Sequence, residues 1–276
     1  MSITIAPITS IEECREIEWL QAEIWESTQL EVAPDHLVWT IAKEGGVVLL
    51  ARNEKGEPIG FAYGIVALTA DKHLKLASHQ AGVLAAYHDQ NIGHQLKLAQ
   101  REIALQSGFD LITWTFDPLQ GRNARFNLRK LGAVATSYLR DLYGRMRDEL
   151  NQGLPSDRFK VEWWLSTEHV LKRITGSSPE RWLPAPICPV INPARLVNGL
   201  LTPPDSYNLS ETNLCLVEIP DDIQYLKEAV PELALQWRLH TRQVFEALFE
   251  QSYTAIDLLR REGRNYYLFQ KDWKKH

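Results

Sequence analysis

The stretch VLAAYHDQNIGHQLKLAQRE, Val83 to Glu102, passes from an apolar run through a polar corner into a helical pattern. Such a corner holds a phosphate when backbone N–H groups converge on one point ahead of a helix N terminus, whose unpaired amides and dipole attract an anion. His88, Asp89, Gln90, Asn91, Ile92, Gly93 and His94 form this corner, and Asn91 is the non-glycine residue type best able to take the left-handed backbone a cradle needs. A plain turn is the alternative. His79 titrates near neutrality and suits a general base, or is a core histidine satisfied by its neighbours. Asp117, before Pro118, suits a substrate contact or a helix N-cap. Trp114 and Thr115 line a slot, or Trp114 is core. Asn123 and Asn127 are poor helix formers in a helical stretch, which suggests inward polar contacts or simple surface placement. Asp157 and Arg158 in LPSDR bracket an acceptor or close a turn with a local ion pair. No Walker loop, Gly-x-Ser-x-Gly elbow or His-Glu-x-x-His helix is present, and no metal-ligand set stands out.

These groups sit in a chain of 276 residues, 45% hydrophobic and 24% charged, with ample material for a core. A formal net charge of -5 and a pI near 5.9 give no overall attraction to nucleic acid or an anionic membrane, so neither is expected as a partner. Cys14, Cys188 and Cys215 are far apart and form no disulfide framework, which points to a reducing, cytoplasmic compartment. The segment from Met1 to Ser10 lacks the basic start and apolar run of a signal peptide, and the apolar stretch around Gly60 to Thr69 is too short to span a bilayer.

The elements that must position the chemistry follow from periodicity. SITIAPI alternates as a strand, and Ser10 to Glu13 forms a capping box opening a helix with Cys14, Ile17 and Ile24 inward. Asp35 caps a second helix carrying Leu37, Val38 and Ile41, stopped by Gly45-Gly46. Two strands join at a turn over Asn53 to Pro58, and a third runs from about Leu74 to Ala85. After the corner, Ile92, Leu96, Ala99 and Ile103 keep helical spacing with Lys97 and Arg101 outward, and Gly108 stops the helix. DLITWTF is a strand. Asp117 then caps a helix burying Ala124, Leu128 and Leu131, which Gly132 ends. AVATSYLRDLY and FKVEWWLS are further extended runs. From Thr167 to Thr212 seven prolines break regular structure, giving a connecting segment. LCLVEI is strand-like, a helix after Pro231 buries Leu233, Trp237, Val244 and Leu248, and the tail is a hairpin turning near Gly263.

The order strand, helix, helix, three strands, corner, helix, strand, helix, strand, strand resembles the GNAT acyltransferase superfamily over roughly Met1 to Ser166. The corner is similar to that family's Arg/Gln-x-x-Gly-x-Gly/Ala loop, with His88, Asn91 and Gly93 at the three signature positions. ITWTFDPLQGRNARFNLRKLG, LPSDRFKVEWWL and WRLHTRQVFEALFEQSY further resemble a branch of uncharacterised bacterial predicted acetyltransferases. The resemblance implies an α/β fold: a mixed, mostly antiparallel sheet flanked by helices, with an added C-terminal α/β segment. It divides into a GNAT-like acyl-CoA-binding domain (1–166), a proline-rich connecting segment (167–212) and a C-terminal subdomain (213–276).

The implied activity is transfer from acetyl-CoA, or another acyl-CoA, to an unidentified primary amine. Amides of Gly82, Val83 and Leu84 and the corner would hold the cosubstrate with Asn123 and Arg125, while Arg122 and Arg129 are further positive groups within reach of phosphates or plain surface charges. His79, Tyr138 and Asp117 are the catalytic candidates, and Trp114, Thr115, Asn127, Asp157 and Arg158 the acceptor candidates. The family's usual thiolate-donating tyrosine matches Leu128 here, with Tyr138 and Tyr143 as possible substitutes. Two other classes stay open: a GNAT-like protein that binds CoA or another ligand without transfer, and an interaction module whose C-terminal helix exposes Trp237 and Phe245, for instance in a homodimer.

Overall fold

A computed structural model describes residues 3–26, 31–144, 153–176, 188–209 and 212–275. The described residues form two compact units, the first running to Trp114 and the second from Thr115 onward. The element order from the first strand to the seventh is the one expected from the sequence.

In the first unit, β1 (Thr4–Pro7) leads into α1 (Ile11–Trp25). The expected capping box is present: Ser10 Oγ accepts from the Glu13 amide, and Glu13 Oε2 accepts from the Ser10 amide. Cys14 and Ile17 are buried and Ile24 packs against the same core. α2 (Asp35–Lys43) departs from expectation at its start. Pro34 is its N-cap, and the Asp35 carboxylate, already inside the first turn, accepts from the His36 amide and from Arg15. Leu37 consequently faces outward, while Val38 and Ile41 are buried.

β2 (Val47–Arg52), β3 (Pro58–Leu68) and β4 (Leu74–Val83) pair antiparallel after β1, and β5 (Leu111–Phe116) joins β4 in parallel. Phe61 and Tyr63 point to α1 and α2. Gly60, on the opposite face by strand alternation, meets Leu96 of α3 (Ile92–Gln106), so the helices cover both faces of this sheet.

In the second unit the strand order is β7 (Arg158–Trp164), β6 (Val134–Leu139), β11 (Tyr253–Arg261), β12 (Arg264–Lys271) and β10 (Leu214–Ile219), with every registered pair antiparallel. β6 and β7, expected with the N-terminal region, pack in this unit because β6 pairs with β11 at Ala135↔Ala255. The helix expected from Asp117 starts later. Gln120 is the N-cap of α4 (Gly121–Ala124), which continues as a π-helical segment over Arg125–Lys130.

Regular structure also enters the proline-rich stretch, as α5 (Glu168–Ile174) and a hairpin of β8 (Arg195–Val197) and β9 (Leu200–Thr202). Pro179, Pro184 and Pro186 of that stretch lie outside the described residues. α6 (Ile223–Ala229) precedes α7 (Pro231–Glu250). Trp237 and Phe245 of α7 are fully buried, so the exposed aromatic face proposed for an interaction module is turned into the core instead. Phe245 stacks within an aromatic cluster with Phe159, Tyr267 and Phe269. Among the described residues no helix is long and apolar enough to cross a membrane.

Candidate functional site

β4 and β5 pair only at Leu76↔Ile112 and Ala77↔Thr113, and β4 continues alone along that edge to Val83. Its other edge stays paired with β3 as far as Gly60↔Val83. The Leu84 amide donates to Ile59 O at 3.0 Å, so it is committed to β3. Amides alternate between the two edges of a strand, which turns the Val83 N–H and C=O away from β3 and toward the open edge. The imidazole of His88 agrees with this direction, with Nε2 3.0 Å from Val83 O. Gly82 lies close under α1: a Cβ there would stand 2.9 Å from Ile24 Cδ1 and 3.3 Å from Trp25 Cη2, so a larger residue would make those side chains shift.

The chain then makes a 3-10 turn over Ala85–Tyr87 and reaches the corner. Asp89 and Asn91 are both left-handed, at φ 62° and 63°. Asn91 therefore holds the left-handed backbone that its residue type tolerates. It is also the N-cap of α3, and its side chain makes no capping hydrogen bond, so the first-turn amides of Ile92, Gly93 and His94 are not closed by it. Gly93 is helical and roomy, the nearest atom to an added Cβ being Val83 Cγ2 at 4.0 Å.

His79, next to the point where β4 leaves β5, is exposed, with its ring 5.5 Å from that of Tyr63. Although its surface is open, the protein mass around it desolvates the ring and holds its pKa below the ordinary histidine value. The alternative of a core histidine is not what the structure contains.

Behind the strand lies a group that helical periodicity had turned outward. Lys97 of α3 is 4% exposed, and its Nζ donates to Ser78 Oγ at 2.8 Å and to Gln100 Oε1 at 2.9 Å. The same Nζ lies 4.1 Å from the centre of the Trp114 ring. Burial lowers the Lys97 pKa from 10.5 to about 7. The buried row of α3 is Ile92, Leu96, Gln100 and Ala104, a strict i, i+4 series, and Lys97 sits beside it. The polar pair Lys97 and Gln100, one turn apart at the edge of the apolar stripe, is the signal that sequence reading passed over.

The second unit carries a different polar centre. Asp157 is fully buried; its carboxylate accepts from Tyr138 Oη at 2.5 Å, from Arg242 Nε and Nη2 at 2.8 and 2.9 Å, and from the Asp141 amide at 2.9 Å. Burial pushes its pKa up, but the bonds from Arg242, Tyr138 and the Asp141 amide outweigh burial and leave the carboxyl below its usual range. Burial, and then the Asp157 charge, raises the Tyr138 hydroxyl far above the ordinary tyrosine value.

Asp117 caps no helix. Its Oδ1 accepts from the Leu119 amide and its Oδ2 from Arg238 Nη2 at 2.5 Å, with Arg158 Nη1 4.0 Å away. Arg238 is fully buried, and its Nε and Nη1 have no hydrogen-bond partner in the structure. Thr115 Oγ1 meets the hydroxyl of the exposed Tyr143 at 2.9 Å, and the Arg158 guanidinium lies over the Tyr143 ring. Asn127 is buried, as an inward polar role requires, while Asn123 and Arg125 are exposed. Leu128 is fully buried.

Thus Asp117, Asp157, Arg158, Tyr138 and Thr115 fall in one unit with two arginines that sequence reading quoted but did not assign, Arg238 and Arg242. Their signal was available: two arginines at i, i+4 on a helix whose neighbouring positions, Trp237, Thr241 and Phe245, are all core.

No family model matches the sequence, and no curated protein matches it. Among solved structures, the chain is similar to one in the NatC complex bound to Gag peptide and CoA, at 16% identity and TM-score 0.47 over 59% of this chain and 98% of that one. It is similar to Arabidopsis thaliana Naa50 in complex with a CoA bisubstrate analogue at 14% identity and TM-score 0.47, over 59% of this chain and 98% of that one. An acetyltransferase of the GNAT family from Streptococcus pneumoniae gives 14% identity and TM-score 0.47 over 58% of this chain and 98% of that one. These are likenesses in outline and assign no residue of this chain a role.

Proposed function

We propose that this protein is an acyl-CoA-dependent N-acyltransferase of the GNAT type, with acetyl transfer to a primary amine as the simplest case. The observation that carries the reading is the open edge of β4, which runs directly into a left-handed corner and the start of α3, where the Asn91 side chain makes no capping bond. An open edge offering the Val83 N–H and C=O suits the amide-bearing arm of CoA, as a further strand would suit it. The Ile92, Gly93 and His94 amides suit its pyrophosphate, since helix-start N–H groups bind phosphate without needing a charged side chain. His88 takes the place of the usual Arg or Gln, and its ring must leave Val83 O for the arm to pair there.

Bound acyl-CoA supplies an activated thioester. His79 is assigned the proton of the attacking ammonium, a task favoured by its lowered pKa, which keeps the ring neutral at pH 7. Asn123 and Arg125 are assigned to the cosubstrate. Trp114, Thr115, Asn127, Asp157 and Arg158 are assigned to acceptor recognition or its support, with Asp117 as the partner that orients Arg238. Tyr138 is a poor proton donor, because its hydroxyl is committed to Asp157 and its pKa is raised. Tyr143, exposed and hydrogen-bonded through Thr115, fits thiolate protonation better. The three free thiols fit the cytoplasm.

Leu128 favours a second reading, a CoA-binding protein that transfers nothing, because the position of the usual tyrosine holds a buried leucine. Isothermal titration with acetyl-CoA, CoA and a longer acyl-CoA, repeated on Gly93→Glu, tests the site. The glutamate has room, so its effect is that of a negative charge in the cradle. Binding that the variant loses supports both readings, and release of free CoA thiol in a screen of amines then selects the enzyme. Absence of binding to all three ligands overturns both.

A further inference from the structure

The pairing of β4 with β5 stops at Ala77↔Thr113, and the next residue on each strand, Ser78 and Trp114, is in contact with the same atom, Lys97 Nζ. From this geometry we infer that Lys97 is a positioning residue: with Gln100 it forms a buried polar strut at the apex of the split between β4 and β5 and keeps the edge of β4 open for acyl-CoA. The inference rests on the acyl-CoA reading and deepens it.

β4 bears a one-residue bulge at His79, between the pairs Gly64↔Ser78 and Tyr63↔Gln80, which bends it away from β5, and Lys97 Nζ holds the residue where that bend begins. An apolar side chain at position 97 would leave Ser78 tied to α3 through Gln100 Oε1 alone and would withdraw the cation from the face of Trp114. The ammonium does both jobs. It ties Ser78 to α3, reinforced by the 3.0 Å bond from Ser78 Oγ to Gln100 Oε1, and it seats Trp114 through the face of the indole. Holding the buried Ser78 toward α3 also holds the exposed bulge residue His79 that follows it.

Two further observations distinguish this strut from ordinary packing. A buried amine is expensive, as its depressed pKa records, and fold stability alone gives no reason to keep it. Gln100 Nε2 is also buried without a hydrogen-bond partner, so the strut has one donor that its own contacts leave over. Such an orphan at the apex of the split fits a place where a ligand with carbonyl acceptors completes the set.

The test compares acetyl-CoA with 3′,5′-ADP, which carries the phosphates of CoA and lacks its arm, by isothermal titration of wild type and Lys97→Met. The expected result is acetyl-CoA affinity reduced about tenfold and 3′,5′-ADP affinity unchanged, with a variant at least as resistant to heat as wild type. Equal affinity of both proteins for acetyl-CoA overturns the strut. An equal loss for both ligands also overturns it, since the defect then lies at the corner or in the fold. Wild type that binds neither ligand overturns the acyl-CoA reading itself, and the strut with it. If Lys97→Met fails to fold, Ser78→Ala removes the strand end of the same strut and must show the same contrast between the two ligands.

Discussion

The two units bury polar groups in opposite ways. In the first, Lys97 is enclosed by neutral partners, a hydroxyl, an amide oxygen and an indole face. In the second, Asp157 is enclosed by the charged guanidinium of Arg242, a tyrosine hydroxyl and a backbone amide, and Asp117 is paired with the buried Arg238. Burial acts on both, and in the second centre the Arg242 guanidinium is set against it. The lysine consequently loses much of its basicity, and Asp157 becomes a stronger acid than usual.

The difference can be broken by mutation. Asp157→Ala should have the largest effect, a loss of about 3–5 kcal/mol, because it leaves Tyr138, Arg242 and the Asp141 amide without their acceptor. Urea unfolding checks it, and a loss below about 1 kcal/mol would mean that the cluster is not a folding element. Lys97→Met should act in the other direction and stabilise by about 1–3 kcal/mol at pH 7, since a similar apolar volume replaces a desolvated amine.

The pH dependence of that gain sharpens the contrast. Lys97 has its folded pKa near 7, below the unfolded value of 10.5, so the unfolded chain binds the extra proton between those limits. Wild type should gain stability relative to Lys97→Met as pH rises from about 7 toward 10.5. Asp157 has the opposite sign. Its folded pKa lies below the unfolded one, so its contribution is present above about 3.9 and is lost as pH falls through the folded value. Urea midpoints of wild type and Lys97→Met at pH 7 and 9.5, and of wild type and Asp157→Ala through the acid limb, check both slopes. The smallest expected effect is that of Ser10→Ala, about 1 kcal/mol, because a helix cap is local to α1 and touches neither centre. Thermal unfolding reads it.

Features governed by a few neighbouring residues were legible. The capping box at Ser10, the turn held by Asn53, the helix stop at Gly108 and the hairpin turn at Gly263 all appear where residue type places them. The left-handed Asn91 belongs with them, since asparagine tolerates that conformation without help from the rest of the fold. Local signals that compete with tertiary partners misled. Asp117 looks like a cap before Pro118, yet its carboxylate is drawn to Arg238, more than a hundred residues later, and the helix begins after Gln120. Lys97 looks like a solvated charge, yet Ser78, Gln100 and the Trp114 ring receive its ammonium inside the fold.

The sequence by itself therefore determined the order of elements, the corner and most of the apolar faces, because these depend on backbone preference and short-range periodicity. Tertiary structure decided which polar groups are buried and with whom. Whether a lysine or an aspartate leaves water depends on partners and desolvation brought together from distant segments, and no spacing along the chain encodes that balance.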